Sequence, residues 1–306
     1  MLHNPDSSPR LSGAPHRRPV NLSQQDLVAV KPLLPASELP VLVEPRDGGL
    51  HLGEWAGANR PLLDQLLLRH GGILFRGFDC AGAQDLEDFI RAASGAALEY
   101  RERSSPRSSV GGNIYTSTDY PPRYPIFLHN ENSYQSVWPR KIFFFCQTPA
   151  VAGGATPIAD CRRVRDRIPR PLRDRFVEKK WMYVRNFGDG FGLDWQTVFQ
   201  TSDRSAVEEH CRKGGIETEW KEGGRLRTRA VREAMTSHPS TGEMLWFNHA
   251  AFFHVSTLEP AVREALESEF SPEDLPANTY YGDGTAIAPD DVEVLRQAYR
   301  DETVSF

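Results

Sequence analysis

From about residue 138 onward, short apolar runs of strand length alternate with turns, and helices enter between them without a regular beat. The runs are Trp138 to Gln147, Trp181 to Arg185, Arg225 to Thr228, Met244 to Asn248 and Asn278 to Asp283. Glycine pairs (Gly153-Gly154, Gly214-Gly215) punctuate them. Helical spacing marks an Arg-rich stretch capped by Asp160 and running to about Lys180, then Asp194 to Phe199, Ala206 to Lys213, Glu259 to Phe270 and Pro289 to Arg300. A doubly wound parallel sheet needs strand and helix in strict alternation. This order instead predicts a mostly antiparallel core with peripheral helices.

The first hundred residues read as strand, helix, strand, helix: Val41 to Glu44, Asn59 to His70, Ile73 to Phe78, and a segment built on Leu86, Phe89 and Ile90. Leu62, Leu63, Leu66 and Leu67 give the first helix one apolar face, and Gly71-Gly72 ends it. Residues 1–20 are polar and proline-rich and are expected to form a flexible tail; residues 21–306 then form one domain. The closing Thr303 to Phe306 looks like the start of another strand.

Several function classes drop out. A net charge of −5 with mixed signs gives no footprint for a general nucleic-acid binder. Arg17-Arg18 and Arg162, Arg163, Arg165 and Arg167 read as solvated charge. The four cysteines, Cys80, Cys146, Cys161 and Cys211, are too far apart for a zinc ribbon or disulfide framework, which suits a reducing cytoplasmic setting. No apolar run is long enough to span a bilayer, and the N-terminus has no apolar core of a secretory signal. Gly-X-Gly-X-X-Gly and Walker loops are missing, so a nucleotide cofactor is not expected.

The chemistry centres on Phe127-Leu128-His129-Asn130-Glu131-Asn132-Ser133-Tyr134. On an extended strand, residues i and i+2 share a face, so His129 and Glu131 would present an imidazole and a carboxylate to one pocket. Two histidines and a carboxylate with open positions mark non-haem Fe(II) oxygenases. A surface strand with an ordinary His and Glu is the plain alternative. Downstream of Glu131 the histidines are His210, His238, His249 and His254. By spacing, His249 and His254, which flank Ala250-Ala251-Phe252-Phe253, are the third-ligand candidates; a hydrogen-bonded structural role competes. The loop from Leu98 to Asp119 leads straight into this stretch and is placed to cover it. Within it, Asn113 to Thr118 supplies candidate substrate contacts in Tyr115 and Thr116, with Asn248 a further candidate. Arg101, Arg103 and Arg107 are candidates to attract a carboxylate, or simply solvated.

The order of motifs resembles the taurine dioxygenase-like (TauD/TfdA-like) superfamily of Fe(II)/2-oxoglutarate oxygenases, and within it the syringomycin-biosynthesis-type branch. The matching pieces are Gly72 to Phe78, Leu128 to Glu131, Gly153 to Asp160, Arg185 to Gly190, His238-Pro239 with Thr241 to Glu243, Trp246 to Ala250, and Tyr280 to Gly284. The resemblance implies a distorted double-stranded β-helix, or jelly roll. It implies His129 and Glu131 as iron ligands and Thr156 as hydroxyl donor to a 2-oxoglutarate carboxylate. It also implies hydroxylation of an amino-acid side chain, free or held on an aminoacyl carrier protein, coupled to decarboxylation of 2-oxoglutarate to succinate. A carboxylate ligand suits hydroxylation over halogenation. In the family a third ligand, a His, and an Arg for 2-oxoglutarate follow on later strands. This sequence has no match for either, so a C-terminally truncated, catalytically impaired member is expected, lacking the last strands. Alternatives are a catalytically inactive jelly-roll remnant that binds a ligand or partner, and a zinc hydrolase, for which no His-Glu-X-X-His helix exists. The oligomeric state is left open.

Overall fold

The computed structural model describes residues 26–98, 102, 107–117, 125–188 and 190–306. The expected tail, residues 1–20, lies outside them, as do Arg101, Arg103, Thr118 and Asp119.

The N-terminal part packs helices on a three-stranded sheet. β1 (Val28–Leu34) and β2 (Ser37–Pro45) form an antiparallel pair, and β3 (Ile73–Phe75) adds parallel to β2. Two helices connect β2 to β3: α1 (Leu52–Ala58) and α2 (Arg60–His70). Gly71 ends α2 in the left-handed conformation at φ 76°, where a residue with a Cβ is strained. α3 (Ala83–Ser94) follows, with Leu86, Phe89, Ile90 and Ala93 buried at i, i+3, i+4 and i+7. Trp55, Val43 and Leu63 join them in one core. Burying each such large side chain contributes roughly 1.5–3 kcal/mol.

Inside the stretch expected to be a loop, β4 (Ser109–Gly111) and β5 (Ile114–Tyr115) pair as a hairpin. The turn uses Gly112 at φ 52°. Serine and glycine hide the strand periodicity here.

The C-terminal part carries α4 (Cys161–Arg167), α5 (Arg170–Lys179), β6 (Trp181–Phe187), α6 (Trp195–Phe199), α7 (Arg204–Gly214), β7 (Ile216–Trp220), β8 (Leu226–Arg232), β9 (Met235–Ser237), β10 (Met244–Trp246), α8 (Pro260–Glu269), β11 (Ala277–Tyr281) and α9 (Pro289–Asp301). β11, β6, β8 and β7 form an antiparallel sheet in that order, with Trp181 opposite Arg232 and Phe187 opposite Leu226. β9 pairs with β10. One core gathers Trp181, Tyr183, Phe176, Trp246, Leu295 and Tyr299; another gathers Phe187, Trp195, Val198 and Leu226. The architecture is mixed α/β with several small sheets.

Four expectations change. Residues 141–146 are in no strand: Phe143 and Phe145 pack on the N-terminal core, while Ile142 and Phe144 are 50% and 74% exposed. Alternation is present, but no described strand pairs with it. The Arg-rich helix is two helices, broken at Ile168-Pro169, because proline lacks the N–H and excludes helical geometry from the residue before it. Its arginines are not merely solvated: Arg163 and Arg167 both hold the buried carboxylate of Glu302 at 2.6 Å, and Arg165 donates to Met244 O. The closing segment makes a single bridge, Val304 to Ile158.

Candidate functional site

Residues 125–130 have no ladder partner among the described residues, and Glu131 to Tyr134 form a turn in which Asn132 takes φ 57°. The expected strand is therefore an unpaired extended segment that bends away directly after His129-Asn130. Ser133 N–H to Asn130 O (3.1 Å) and Gln135 N–H to Asn132 O (2.9 Å) close the bend.

Asn130, between the two candidate ligands, points into the protein and is buried. Its Oδ1 accepts from Tyr299 O–H (2.9 Å) and Asn248 N–H (3.3 Å), and its Nδ2 lies 3.1 Å from Cys161 Sγ. Helix α9, the segment after β10 and the start of α4 thus converge on one side chain. With Asn130 locked inward, its neighbours on either side are turned the other way.

His129 and Glu131 meet there. His129 Nδ1 lies 2.9 Å from Phe127 O, and a carbonyl only accepts, so Nδ1 carries the proton. The other ring nitrogen, Nε2, then offers a lone pair 3.4 Å from Glu131 Oε2. Two acceptors face each other, an arrangement that needs a cation between them, either a proton or a metal. The His129 ring rests on Phe252 at 4.4 Å between centroids. Glu131 Oε1 accepts from Arg107 Nη2 at 3.3 Å. Burial pushes the Glu131 carboxyl upward, but His129 and Arg107 outweigh it and hold it below the ordinary carboxylate value. An imidazole plus a carboxylate is a donor pair that suits Fe(II), and a carbonyl that accepts from the far ring nitrogen is the usual companion of a metal-bound His.

The other histidines are otherwise engaged. His249 is buried, with Nδ1 2.6 Å from Ser133 Oγ and its ring stacked on Phe253 at 4.7 Å. Phe253 in turn stacks on Tyr183 at 4.5 Å. Burial first, and His129 second, keep the His249 imidazole well below its ordinary pKa, hence neutral. Its ring centre lies 5.4 Å from that of His129. His254 Nδ1 accepts from Ser256 N–H (3.2 Å), capping a short turn. His238 Nδ1 accepts from Ser240 and Thr241 N–H in an exposed turn, and His210 pairs with Glu102 at 3.5 Å. Among the described residues no group of three or more His, Cys, Asp and Glu side chains is arranged to hold a metal.

The remaining candidates scatter. Thr116 Oγ1 accepts from Ser108 N–H (3.0 Å), stapling the base of the β4–β5 hairpin, and Tyr115 sits half-buried on β5. Thr156 is exposed after the Gly153-Gly154 turn. Asn248 is buried; it donates from Nδ2 to Ala234 O and accepts at Oδ1 from Ala250 N–H. Two clefts of about 320 and 480 Å³ lie elsewhere, one bordered by Arg263, Arg296 and Arg300, the other by Phe191 and Leu266. Neither is lined by His129 or Glu131. Sequence reasoning missed the Ser133–His249 and Asn130–Tyr299 pairs, which span 116 and 169 residues and leave no local signal.

The family described as "Taurine catabolism dioxygenase TauD, TfdA family" matches residues 29–306. The dapdiamide synthesis protein DdaC of Enterobacter agglomerans is 38% identical over 236 residues, covering 77% of this chain and 72% of DdaC. A clavaminate synthase-like protein of Arabidopsis thaliana is 32% identical over 197 residues, 61% of this chain and 59% of its own length. The crystal structure of PvcB from Pseudomonas aeruginosa aligns with a TM-score of 0.44 at 15% identity over 95% of this chain and 82% of that one, a likeness too slight to build on.

Proposed function

The chain belongs to the TauD/TfdA family and by that membership is a 2-oxoglutarate-dependent dioxygenase; from this premise we propose that it hydroxylates an amino-acid-type substrate in natural-product biosynthesis, with His129 and Glu131 holding Fe(II). The observation that carries the assignment is the 3.4 Å approach of His129 Nε2 to Glu131 Oε2 while His129 Nδ1–H is committed to Phe127 O. Iron held there with 2-oxoglutarate would let dioxygen act as the oxidant, one oxygen atom entering a substrate C–H bond and the other leaving in succinate as 2-oxoglutarate loses CO2. The chain's own residues do the rest. Phe127 O fixes the imidazole tautomer, Phe252 backs the ring, and Glu131 adds negative charge. Thr156 donates to a 2-oxoglutarate carboxylate, and Tyr115 and Thr116 stand toward the substrate.

The small sheets are read as parts of a distorted double-stranded β-helix. The substrate is presented free or on an aminoacyl carrier protein; the relation to a dapdiamide synthesis protein supports this class. No helix among the described residues is long and apolar enough to cross a membrane, and all four cysteines are free, in keeping with a cytoplasmic setting. On this reading His129 and Glu131 hold iron with no third ligand side chain among the described residues, so binding is weak and turnover slow. The same observation favours a second reading, a jelly-roll remnant that binds a ligand without turnover.

Succinate release with Fe(II), 2-oxoglutarate and a panel of free and carrier-bound amino acids separates them. The proposal expects slow, Fe(II)-dependent release that H129A abolishes. Robust turnover contradicts the impairment. Release of no succinate by a chain that still binds 2-oxoglutarate supports the remnant.

A further inference from the structure

Glu131 presents its two oxygens to two different partners. Oε2 faces His129 Nε2 at 3.4 Å, and Oε1 accepts from Arg107 Nη2 at 3.3 Å. Each of the three side chains is only 22–25% exposed, so solvent screens the contacts weakly. A free carboxylate can clamp a divalent cation through both oxygens. One whose second oxygen is held by a guanidinium offers the first alone. We propose that Arg107 is a positioning residue that keeps Glu131 a one-oxygen ligand, with the β4–β5 hairpin setting its place. The inference rests on the reading of His129 and Glu131 as the metal-holding pair.

The hairpin supplies the anchorage. Arg107 immediately precedes Ser108, whose N–H donates to Thr116 Oγ1 (3.0 Å) and whose carbonyl accepts from Thr116 N–H (2.9 Å). At the tip, Asn113 Nδ2 donates to Ala97 O (3.0 Å), tying the hairpin to the chain beyond α3. The guanidinium therefore reaches Glu131 from a base that is pinned on its C-terminal side. One-oxygen ligation leaves an extra metal position for the co-substrate. It also couples the hairpin carrying Tyr115 and Thr116 to the geometry of the carboxylate.

Charge and positioning act in opposite directions, which makes them separable. A cation beside a metal repels it, whereas a hydrogen bond that aims a ligand strengthens binding. Co(II) is the probe, titrated into the full chain and read by its visible d–d band and its dissociation constant. R107K keeps a donor and the charge, R107Q keeps a donor without charge, and R107M keeps neither. We expect R107K and R107Q to retain the wild-type band, and R107M to show a weaker, higher-coordinate band with Co(II) affinity about tenfold below that of R107Q. Identical behaviour of R107Q and R107M overturns the positioning role and leaves only a charge; wild-type behaviour of R107M overturns both. Circular dichroism melting checks that each variant folds, and R107L repeats the comparison if R107M does not. Failure of the metal-pair reading looks different: Co(II) binding by the wild type would then survive H129A unchanged.

Discussion

His129 and Glu131 approach to 3.4 Å through Nε2 and Oε2, and the far nitrogen of His129 is proton donor to Phe127 O at 2.9 Å. The tautomer is thus set by the backbone before any ligand arrives. The carboxylate is likewise held, its Oε1 accepting from Arg107 Nη2 at 3.3 Å. The pair is poised for a cation.

Asn130 locks that pair to the core. N130A strands Tyr299 O–H and Asn248 N–H, which both donate to its Oδ1. Each stranded buried group costs about 1–3 kcal/mol. The expected outcome is a clear drop in the urea midpoint together with weaker Co(II) binding. A variant with unchanged stability and binding refutes the lock.

The account expects His249 to act as a structural neighbour of the site, through Ser133 and Phe253, and not as a ligand. H249Q keeps a polar contact to Ser133 but loses the stack on Phe253. It should melt lower than wild type while its Co(II) dissociation constant stays within about threefold, well short of the loss of a first ligand. Loss of metal binding equal to that of H129A would make His249 a ligand.

Glu302 is 5% exposed at its side chain and held by Arg163 and Arg167 at 2.6 Å each. Either arginine alone can compensate it, so R163A and R167A singly should be mild. The double variant leaves a buried carboxylate without these partners and is expected to lose about 3–5 kcal/mol, more than the sum of the singles. Chemical denaturation of the four proteins gives the coupling directly; strict additivity contradicts it.

Asp274 gives the pH dependence a defined sign. Lys221 first and Ser271 next hold its carboxyl down to about 2 from an ordinary 3.8, and it also pairs with Arg227, whose side chain is 7% exposed. A depressed carboxyl stabilises the fold fully above its unfolded value, and that stability is lost as pH falls through the folded value. The wild type should therefore exceed D274N in urea midpoint at pH 6, with the gap closing from about pH 4 down to about pH 2. A gap that is constant over that window contradicts the linkage.

The approach of His129 to Glu131 was legible because two residues at i and i+2 need only an extended backbone, whatever happens next. The bend at Asn132 was not, since its positive φ follows from distant contacts on Asn130 and Ser133. Helix α3 announced itself through Leu86, Phe89, Ile90 and Ala93. Strand β7 was not among the expected strands, although Ile216-Glu217-Thr218-Glu219-Trp220 alternates, with glutamates that meet Arg229 and Arg227 across the ladder. Helix α1 was masked by Gly53 and Gly57, although Leu52, Trp55 and Ala56 have helical spacing. Arg107 lies 24 residues from Glu131, in a serine-rich stretch where its carboxylate partner had no local signature.

The central claim is that His129 and Glu131 together hold iron. Anaerobic Fe(II) titration of the chain with 2-oxoglutarate, followed by the visible charge-transfer band, tests it most directly. The account predicts a weak band in the wild type that disappears in both H129A and E131A and persists in H249Q. A band of undiminished strength in the H129A/E131A double variant contradicts it.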